Sequence, residues 1–138
     1  MVRKINAKSF KPYGRVIEYP AKASRSKKIN LFRIVVKEPE PSGWRIAYLV
    51  VRDRAINKLE RHFASYESFE PMAGEAILYV ANARNPAKIE SFLLNKPVIL
   101  NKGVWHGVVT LGSESEIKIT ENARVSCDYW RLVRGLTP

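Results

Sequence analysis

The chain has 138 residues, 46% of them apolar, which is enough to bury one hydrophobic core and too much for a disordered protein. Its 24 Lys and Arg residues outnumber its 13 Asp and Glu residues, but these basic residues are scattered, so we do not expect specific nucleic-acid binding. The single cysteine, Cys127, excludes an internal disulfide, and the longest apolar run, residues 46–51, is too short to cross a membrane.

Short segments rich in β-branched and aromatic residues follow one another along the chain, separated by Gly, Pro, Asn and Ser. Only NAKSFKPYG, residues 6–14, predicts a helical turn, capped by Asn6 or Ser9. Many short strands with regular turns are typical of an all-β barrel or sandwich. The predicted strands are GRVIEY (14–19), LFRIVV (31–36), WRIAYLVV (44–51), EAILYVANA (75–83), KIESFLL (88–94), GVWHGVVTL (103–111), EIKIT (116–120) and VSCDYWRLV (125–133).

The stretch LERHFASYESFEPMAGE, residues 59–75, contains one of the two histidines. In a strand, Glu60 and His62 point to the same face because they are two residues apart. Glu67 follows five residues after His62, so a small turn would bring it back beside the imidazole. The segment PMAG, residues 71–74, predicts a turn. The second histidine, His106, lies far downstream in KGVWHG.

Carboxylates and imidazoles from two strands support two kinds of chemistry. They suit a borderline divalent metal ion, for which Glu60, His62, Glu67 and His106 would be the ligands. They also suit metal-free acid and base catalysis. The residue types alone leave both alternatives open.

The spacing of these residues resembles the two sequence motifs of the cupins. That resemblance implies a double-stranded β-helix, a small jelly-roll-like barrel with very little helix and a site in its mouth. We therefore expect a single cupin-like domain over residues 1–138. The matches are His62, Glu67 and Gly74 in the first motif and Gly103 and His106 in the second, with Glu60 in place of the first histidine and Arg54 in place of the first glycine.

A narrower resemblance extends over nearly the whole chain. Residues 59–75 closely resemble the ureidoglycolate lyase family, whose pattern is roughly LERHPxxxQxFIPMxGE. KGVWHG resembles the family's NVWHH, and SFKPYGRVIE resembles its amino-terminal segment. The departures lie near the expected site, where Phe63 replaces Pro, Glu67 replaces Gln and Gly107 replaces the second His.

The resemblance implies a carbon–nitrogen lyase of purine catabolism that splits ureidoglycolate into glyoxylate and urea. Glu67 and His106 are then the expected proton-transfer groups, with His62 beside them. Arg52 and Lys102 are candidates to hold the carboxylate of the substrate, and Trp105 is expected to line an apolar mouth with Phe69 and Tyr48. The alternation of the last strands predicts that Trp105, Tyr129 and Trp130 are buried, and Cys127 is expected to be a buried apolar residue.

The expected partner is a small carboxylate substrate, with one divalent metal ion as a candidate cofactor. The resemblance also implies a homodimer, and the amino terminus has no apolar segment like that of a signal peptide, which favours a cytoplasmic protein. The densest basic cluster, residues 24–28, has no interleaved aromatic residues. Two alternatives remain: a non-catalytic cupin that binds a small carboxylate or sugar-like ligand, and a basic structural or RNA-associated barrel.

Overall fold

The computed structural model describes residues 1–20 and 30–138, and the basic cluster at residues 24–28 lies outside them. The helical turn α1 spans Ala7–Phe10, and the Asn6 side chain accepts hydrogen bonds from the first backbone N–H groups, which confirms that turn and its cap. The strands are β1 Val2–Lys4, β2 Gly14–Val16, β3 Arg45–Val51, β4 Ile56–Arg61, β5 Glu67–Ala73, β6 Ala76–Ala81, β7 Ile89–Leu93, β8 Val98–Leu100, β9 Trp105–Thr110, β10 Ser115–Glu121 and β11 Asp128–Leu136.

The strands form two sheets. One has six strands in the order β1-β7-β6-β9-β4-β11, and the other has five in the order β2-β8-β5-β10-β3. Every pairing is antiparallel except that of β1 with β7. This arrangement confirms the predicted all-β, jelly-roll-like barrel with very little helix. No helix in the described ranges is long and apolar enough to span a membrane.

An apolar core fills one part of the space between the sheets. Phe10 and Phe92 meet edge to face, with ring centroids 5.3 Å apart, and both side chains are fully buried. Strand β6 is buried at all six positions because its side chains alternate between two apolar clusters, one containing Leu78 and the other Ile77. The core therefore holds β9, the neighbour of β6 that carries His106, in place.

The loop after β4 carries the chain from the six-stranded sheet to the five-stranded sheet. Residues 62–66 connect β4 to β5, so Glu67 enters the five-stranded sheet while Glu60 stays in the six-stranded one. Strand β5 continues through Pro71, where the sequence predicted a turn, and the pairing with β10 shifts register opposite it. Proline has no backbone N–H to donate between strands, and the irregular pairing at this position tolerates that missing hydrogen bond. The turn itself is at Gly74, with φ of 69°.

Three predictions from the sequence are wrong. Residues 31–36, all within the described part of the chain, form no strand, and Phe32 is exposed there. Tyr129 and Trp130 are exposed rather than buried, because β11 is the edge strand of its sheet. Cys127 is also exposed, because it precedes β11 in a surface loop.

Candidate active site

A cavity of about 450 Å³ lies between the two sheets and opens to solvent. Strands from both sheets line it: β3, β5 and β10 on one side, and β4, β9 and β11 on the other. Most of the wall is apolar, and a few charged groups are concentrated at one place. Leu49, Val51, Phe69, Val108 and Ile119 are among the apolar residues, and Glu60, Glu67 and His106 are the charged or titratable residues closest to one another.

Glu67 is the centre of the polar group. Its Oε2 atom lies 2.9 Å from Nε2 of His106 and 3.2 Å from Nε2 of His62, and all three side chains are buried. Glu67 projects from β5 and His106 from β9, so the contact bridges the two sheets. The prediction that the chain returns Glu67 beside His62 is confirmed, and His106 joins them from some forty residues away.

Both imidazoles are held in the same tautomer by the backbone. Nδ1 of His62 lies 3.1 Å from the carbonyl oxygen of Ser126, and Nδ1 of His106 lies 3.0 Å from that of Val104. A carbonyl can only accept, so each Nδ1 carries the hydrogen. Each Nε2 is therefore turned towards Glu67, either protonated as part of an imidazolium or free to bind a cation.

In the metal-free protein the centre is an ion pair. Burial alone would lower the pKa of His106, but the charges and hydrogen bonds of Glu67 and Glu60 outweigh it and raise the pKa to about 10. Burial alone would likewise raise the pKa of Glu67, yet His106 and His62 together hold it at about 2. Hydrogen bonding to Glu67 raises the pKa of His62 as well. Near neutral pH, Glu67 is a carboxylate and His106 an imidazolium.

Two further carboxylates flank this ion pair. Glu60, on the cavity side, places Oε1 3.7 Å from Nε2 of His106, and its side chain is 40% exposed. The close approach of the His106 imidazole lowers the pKa of Glu60. Glu121, at the end of β10, lies on the other side, with Oε1 3.9 Å from Nε2 of His62 and a side chain only 6% exposed. Arg45 donates two hydrogen bonds to Oε2 of Glu121, at 2.8 and 3.0 Å.

The donor set fits a divalent cation. His62 belongs to two groups of possible ligands, one with Glu60 and His106 and one with Glu67 and Glu121. Within the described residues, Oε2 of Glu67, Nε2 of His106 and Oε1 of Glu121 are buried without a hydrogen bond of good geometry. Atoms that converge in this way while unsatisfied are what a bound cation would relieve. Imidazole nitrogens and carboxylate oxygens also suit zinc, manganese or iron.

Comparison with protein families identifies the chain. The family model described as ureidoglycolate lyase matches residues 1–132. The chain belongs to the ureidoglycolate lyase family. This confirms the predicted family and supports the prediction of a lyase enzyme. No curated protein matches the chain by sequence.

Solved structures give a weaker likeness. Three structures of oxalate decarboxylase are similar to the chain: one from work on the Mn(II) centres of the Bacillus subtilis enzyme, one on the substrate binding mode and one on an element that modulates proton-coupled electron transfer. Each is 16% identical with a TM-score of 0.48, and the match covers 66% of this chain and 24% of the other. The chain thus spans about a quarter of the length of those proteins.

The structure brings some of the predicted substrate-binding residues to the cavity and leaves others outside. Arg52 is at the cavity lining, although its guanidinium is exposed and bound to Glu114 at 3.0 Å. Lys102 does not line the cavity, because it lies in the turn before β9 and its Nζ is 2.6 Å from Glu38. Trp105 faces away from the cavity and packs with Leu59, since it is adjacent to His106 on β9.

Two departures from the family pattern have a visible cause or consequence. A Cβ atom at Gly107 would overlap the side chain of Ile56, so a histidine at this position would require Ile56 to move. Phe63 lies under the guanidinium of Arg61, whose carbon is 3.8 Å from the ring centroid. Gly107 lines the cavity, whereas Phe63 is not part of its wall.

Sequence reasoning missed three residues of the site. Lys58 lines the cavity two residues before Glu60, and strand alternation would have placed it there. Tyr129 lines it from β11, paired with Glu60 across the ladder. Strand alternation from Ile117 and Ile119 would have placed Glu121 inward, but its nearness to Glu67 depends on the register of β10 against β5. In addition, Cys127 lies near the site, with Sγ 3.5 Å from Nδ1 of His62.

Proposed function

We propose that this protein cleaves the carbon–nitrogen bond of ureidoglycolate to release glyoxylate and urea, an activity that belongs to allantoin degradation. The observation that carries the proposal is the contact of Glu67 with both His106 and His62, in a chain of the ureidoglycolate lyase family. Glu67 and His106 line a cavity of about 450 Å³, and His62 lies behind them. A small carboxylate substrate fits such a volume, whereas a macromolecular one does not.

The reaction moves one proton between two atoms of the substrate. The reacting carbon bears a hydroxyl, a ureido nitrogen and a carboxylate. As the hydroxyl loses its proton, the carbonyl of glyoxylate forms, the carbon–nitrogen bond breaks and its electron pair goes to nitrogen. A proton then reaches that nitrogen to give urea. The site must therefore accept the hydroxyl proton and deliver it to the ureido nitrogen. It must also stabilise the negative charge that develops on the oxygen while the carbon–nitrogen bond breaks.

We assign the proton transfer to Glu60. The sequence pointed to Glu67 and His106, but a carboxyl group with a pKa of about 2 is a weak base, and an imidazolium with a pKa of about 10 is a weak acid near neutral pH. Glu60 is ionised, lines the cavity and is partly exposed, so it can accept the hydroxyl proton and deliver it to the departing nitrogen. His106, held by Glu67, would stabilise the developing oxyanion through its positive charge.

A divalent cation would strengthen this arrangement. The residues that would hold it are His62, Glu67 and His106, whose ligand atoms already converge. Bound there, it would supply Lewis acidity to the substrate hydroxyl. Glu60 would keep the same role, because its carboxylate lies towards the open side of the cavity.

The carboxylate of the substrate needs a cation at the cavity wall. Lys58 stands two residues from Glu60 on β4, and its Nζ lies 4.5 Å from the ring centroid of Tyr129. Arg52 follows the last residue of β3, and it would have to leave its exposed ion pair with Glu114 to bind the substrate. We propose Lys58 as the main anchor and Arg52 as a secondary one, because an exposed ion pair is weak and easily exchanged.

A direct assay tests the proposed function. The pure protein is incubated with racemic ureidoglycolate and the release of glyoxylate is measured, with and without added Mn²⁺ or Zn²⁺. We expect activity in the wild type and at least a 100-fold loss in Glu60→Gln and His106→Ala. Wild-type activity is expected in Glu116→Gln, a control at a half-buried position on the outward face of β10. Ligand-induced stabilisation without glyoxylate would instead indicate a binding protein and contradict the lyase.

We also propose that the protein is a homodimer joined at β3. This edge strand hydrogen-bonds only to β10 in the described part of the chain, and it exposes Ile46, Tyr48 and Val50 on its outer face. Antiparallel self-pairing centred on Tyr48 would place Ile46 opposite the partner's Val50, so the strand is complementary to itself. An exposed apolar edge otherwise promotes aggregation.

Light scattering separates this homodimer from a monomer. The wild type should have twice the mass of the chain, and Tyr48→Lys should be monomeric at the same concentration. The control is Val2→Lys, which changes an exposed residue on the edge strand of the other sheet and should remain dimeric. A monomeric wild type, or a dimeric Tyr48→Lys, would contradict the interface.

A further inference from the structure

A row of three charged side chains, two buried carboxylates and an exposed arginine, crosses the five-stranded sheet beside the candidate site. Glu67 on β5 is paired in register with Glu121 on β10, and Glu121 is paired with Arg45 on β3. Glu121 continues the inward-facing positions of β10, after Ile117 and Ile119. An inward position at the end of an apolar row would normally hold another apolar residue, so a buried glutamate there needs a physical reason.

The two oxygens of Glu121 have different surroundings. Both hydrogen bonds from Arg45 go to Oε2, at 2.8 and 3.0 Å, so that oxygen is neutralised. Oε1 is buried and has no hydrogen-bond partner among the residues described, and it faces Nε2 of His62 at 3.9 Å. A desolvated carboxylate oxygen without a partner is costly, because its hydration is lost and nothing replaces it.

We propose that Glu121 is a ligand of the divalent cation, positioned by Arg45, and that it rather than Glu60 completes the set with His62, His106 and Glu67. This inference rests on the cation of the proposed function and is independent of the reaction itself. Arg45 fixes the carboxylate by holding one oxygen and leaves the other pointing at the imidazole. Such a held, buried ligand is preorganised, whereas Glu60 is 40% exposed and has no comparable clamp in the structure.

Two carboxylates beside the centre would then have different roles. The buried one, Glu121, binds the cation and is neutralised by Arg45. The one at the cavity, Glu60, remains free for proton transfer at the substrate. With Glu60 as a ligand instead, its carboxylate would be unavailable as a base, and the unpartnered oxygen of Glu121 would remain unexplained.

The test is a metal titration of the full chain without substrate. Protein freed of metal by a chelator is titrated with Mn²⁺, and free Mn²⁺ is followed by electron paramagnetic resonance. Co²⁺ absorption reports the ligand field of the same site. We expect Glu121→Gln to weaken Mn²⁺ binding at least ten-fold and to change the Co²⁺ spectrum. Glu60→Gln should change the affinity by less than three-fold, and Glu116→Gln should leave both readouts unchanged.

A second variant covers the case in which Glu121→Gln does not fold. Glu121→Asp keeps the charge that pairs with Arg45 but shortens the side chain, so it should fold, bind Mn²⁺ at least ten-fold more weakly and give an altered Co²⁺ spectrum. Wild-type affinity in both Glu121 variants would overturn the proposal, as would a wild type that binds neither ion. Because glyoxylate release is measured separately, an active enzyme with an unchanged metal site would reject Glu121 as a ligand and leave the lyase standing.

Discussion

Two buried regions of the same barrel are built on opposite principles. Around β6, Phe92 and Leu78 exclude water by filling space with carbon. Around Glu67, the same two sheets enclose two imidazoles and carboxylates whose charges compensate one another. The apolar region depends on volume and is indifferent to pH, whereas the polar centre depends on protonation. Stability and function should therefore respond to different changes in the two regions.

The largest effect on stability is expected in the apolar region. Phe92→Ala removes a fully buried ring that contacts Phe10, and it should lower the free energy of unfolding by about 3–5 kcal/mol. Urea denaturation measures this loss. The pH dependence of stability should stay that of the wild type, and a changed pH profile would show that the two regions are not separate.

The polar centre should make stability of the metal-free protein depend on pH. The pKa of His106 is raised from its usual 6.5 to about 10, so its contribution is complete below pH 6.5 and is lost as pH rises towards 10. The pKa of Glu67 is lowered from 4.5 to about 2, so its contribution is present above pH 4.5 and is lost as pH falls towards 2. Both pKa shifts arise from the same ion pair, which stabilises the folded protein by on the order of 4 kcal/mol.

Glu67→Gln isolates that contribution. Between pH 6.5 and 10 the free energy of unfolding of the wild type should fall with rising pH, and the variant should lose most of this slope because its His106 no longer has a buried anion beside it. Urea unfolding at a series of pH values, with a chelator present, gives both curves. Parallel curves would mean that Glu67 does not hold the proton on His106.

A smaller loss of stability is expected at the turn between β5, which carries Glu67, and the buried strand β6. Gly74 has φ of 69°, and a Cβ atom there would lie 2.6 Å from the carbonyl oxygen of Glu114. Gly74→Ala should cost about 1–3 kcal/mol because the residue is forced into a conformation that favours glycine. Thermal unfolding at pH 6 measures it. An unchanged melting temperature would contradict the tight approach of β5 and β10.

Much of the fold could be predicted from the sequence because most strands carry their own signal. Alternation and β-branched residues are enough to indicate β3, β6, β7, β9 and β10. Strand β5 was missed because Pro71 is typical of turns, and only the local irregularity in β10 reconciles it with a sheet. Residues 31–36 have the composition of a strand but no partner among the described strands, and composition cannot show that.

The candidate site was predictable where its residues are close in sequence or match a family motif. Glu60, His62 and Glu67 lie within eight positions, and His106 was indicated by the family resemblance. Lys102 was misplaced because its position assumed a regular strand through a turn. Alternation along β10 indicates that Glu121 faces inward, but its neighbours, Glu67 and Arg45, are set by the pairing of three strands and could not have been predicted.

The most direct test of the central claim uses the fact that the chain has only two histidines. Nitrogen-15 NMR of histidine-labelled, metal-free protein reports the tautomer and protonation of each imidazole, and His106→Gln assigns the two signals. The account predicts that His106 remains doubly protonated at pH 8 and titrates near pH 10. Two imidazoles that both lose their proton near pH 6.5 would contradict a shared buried centre with Glu67.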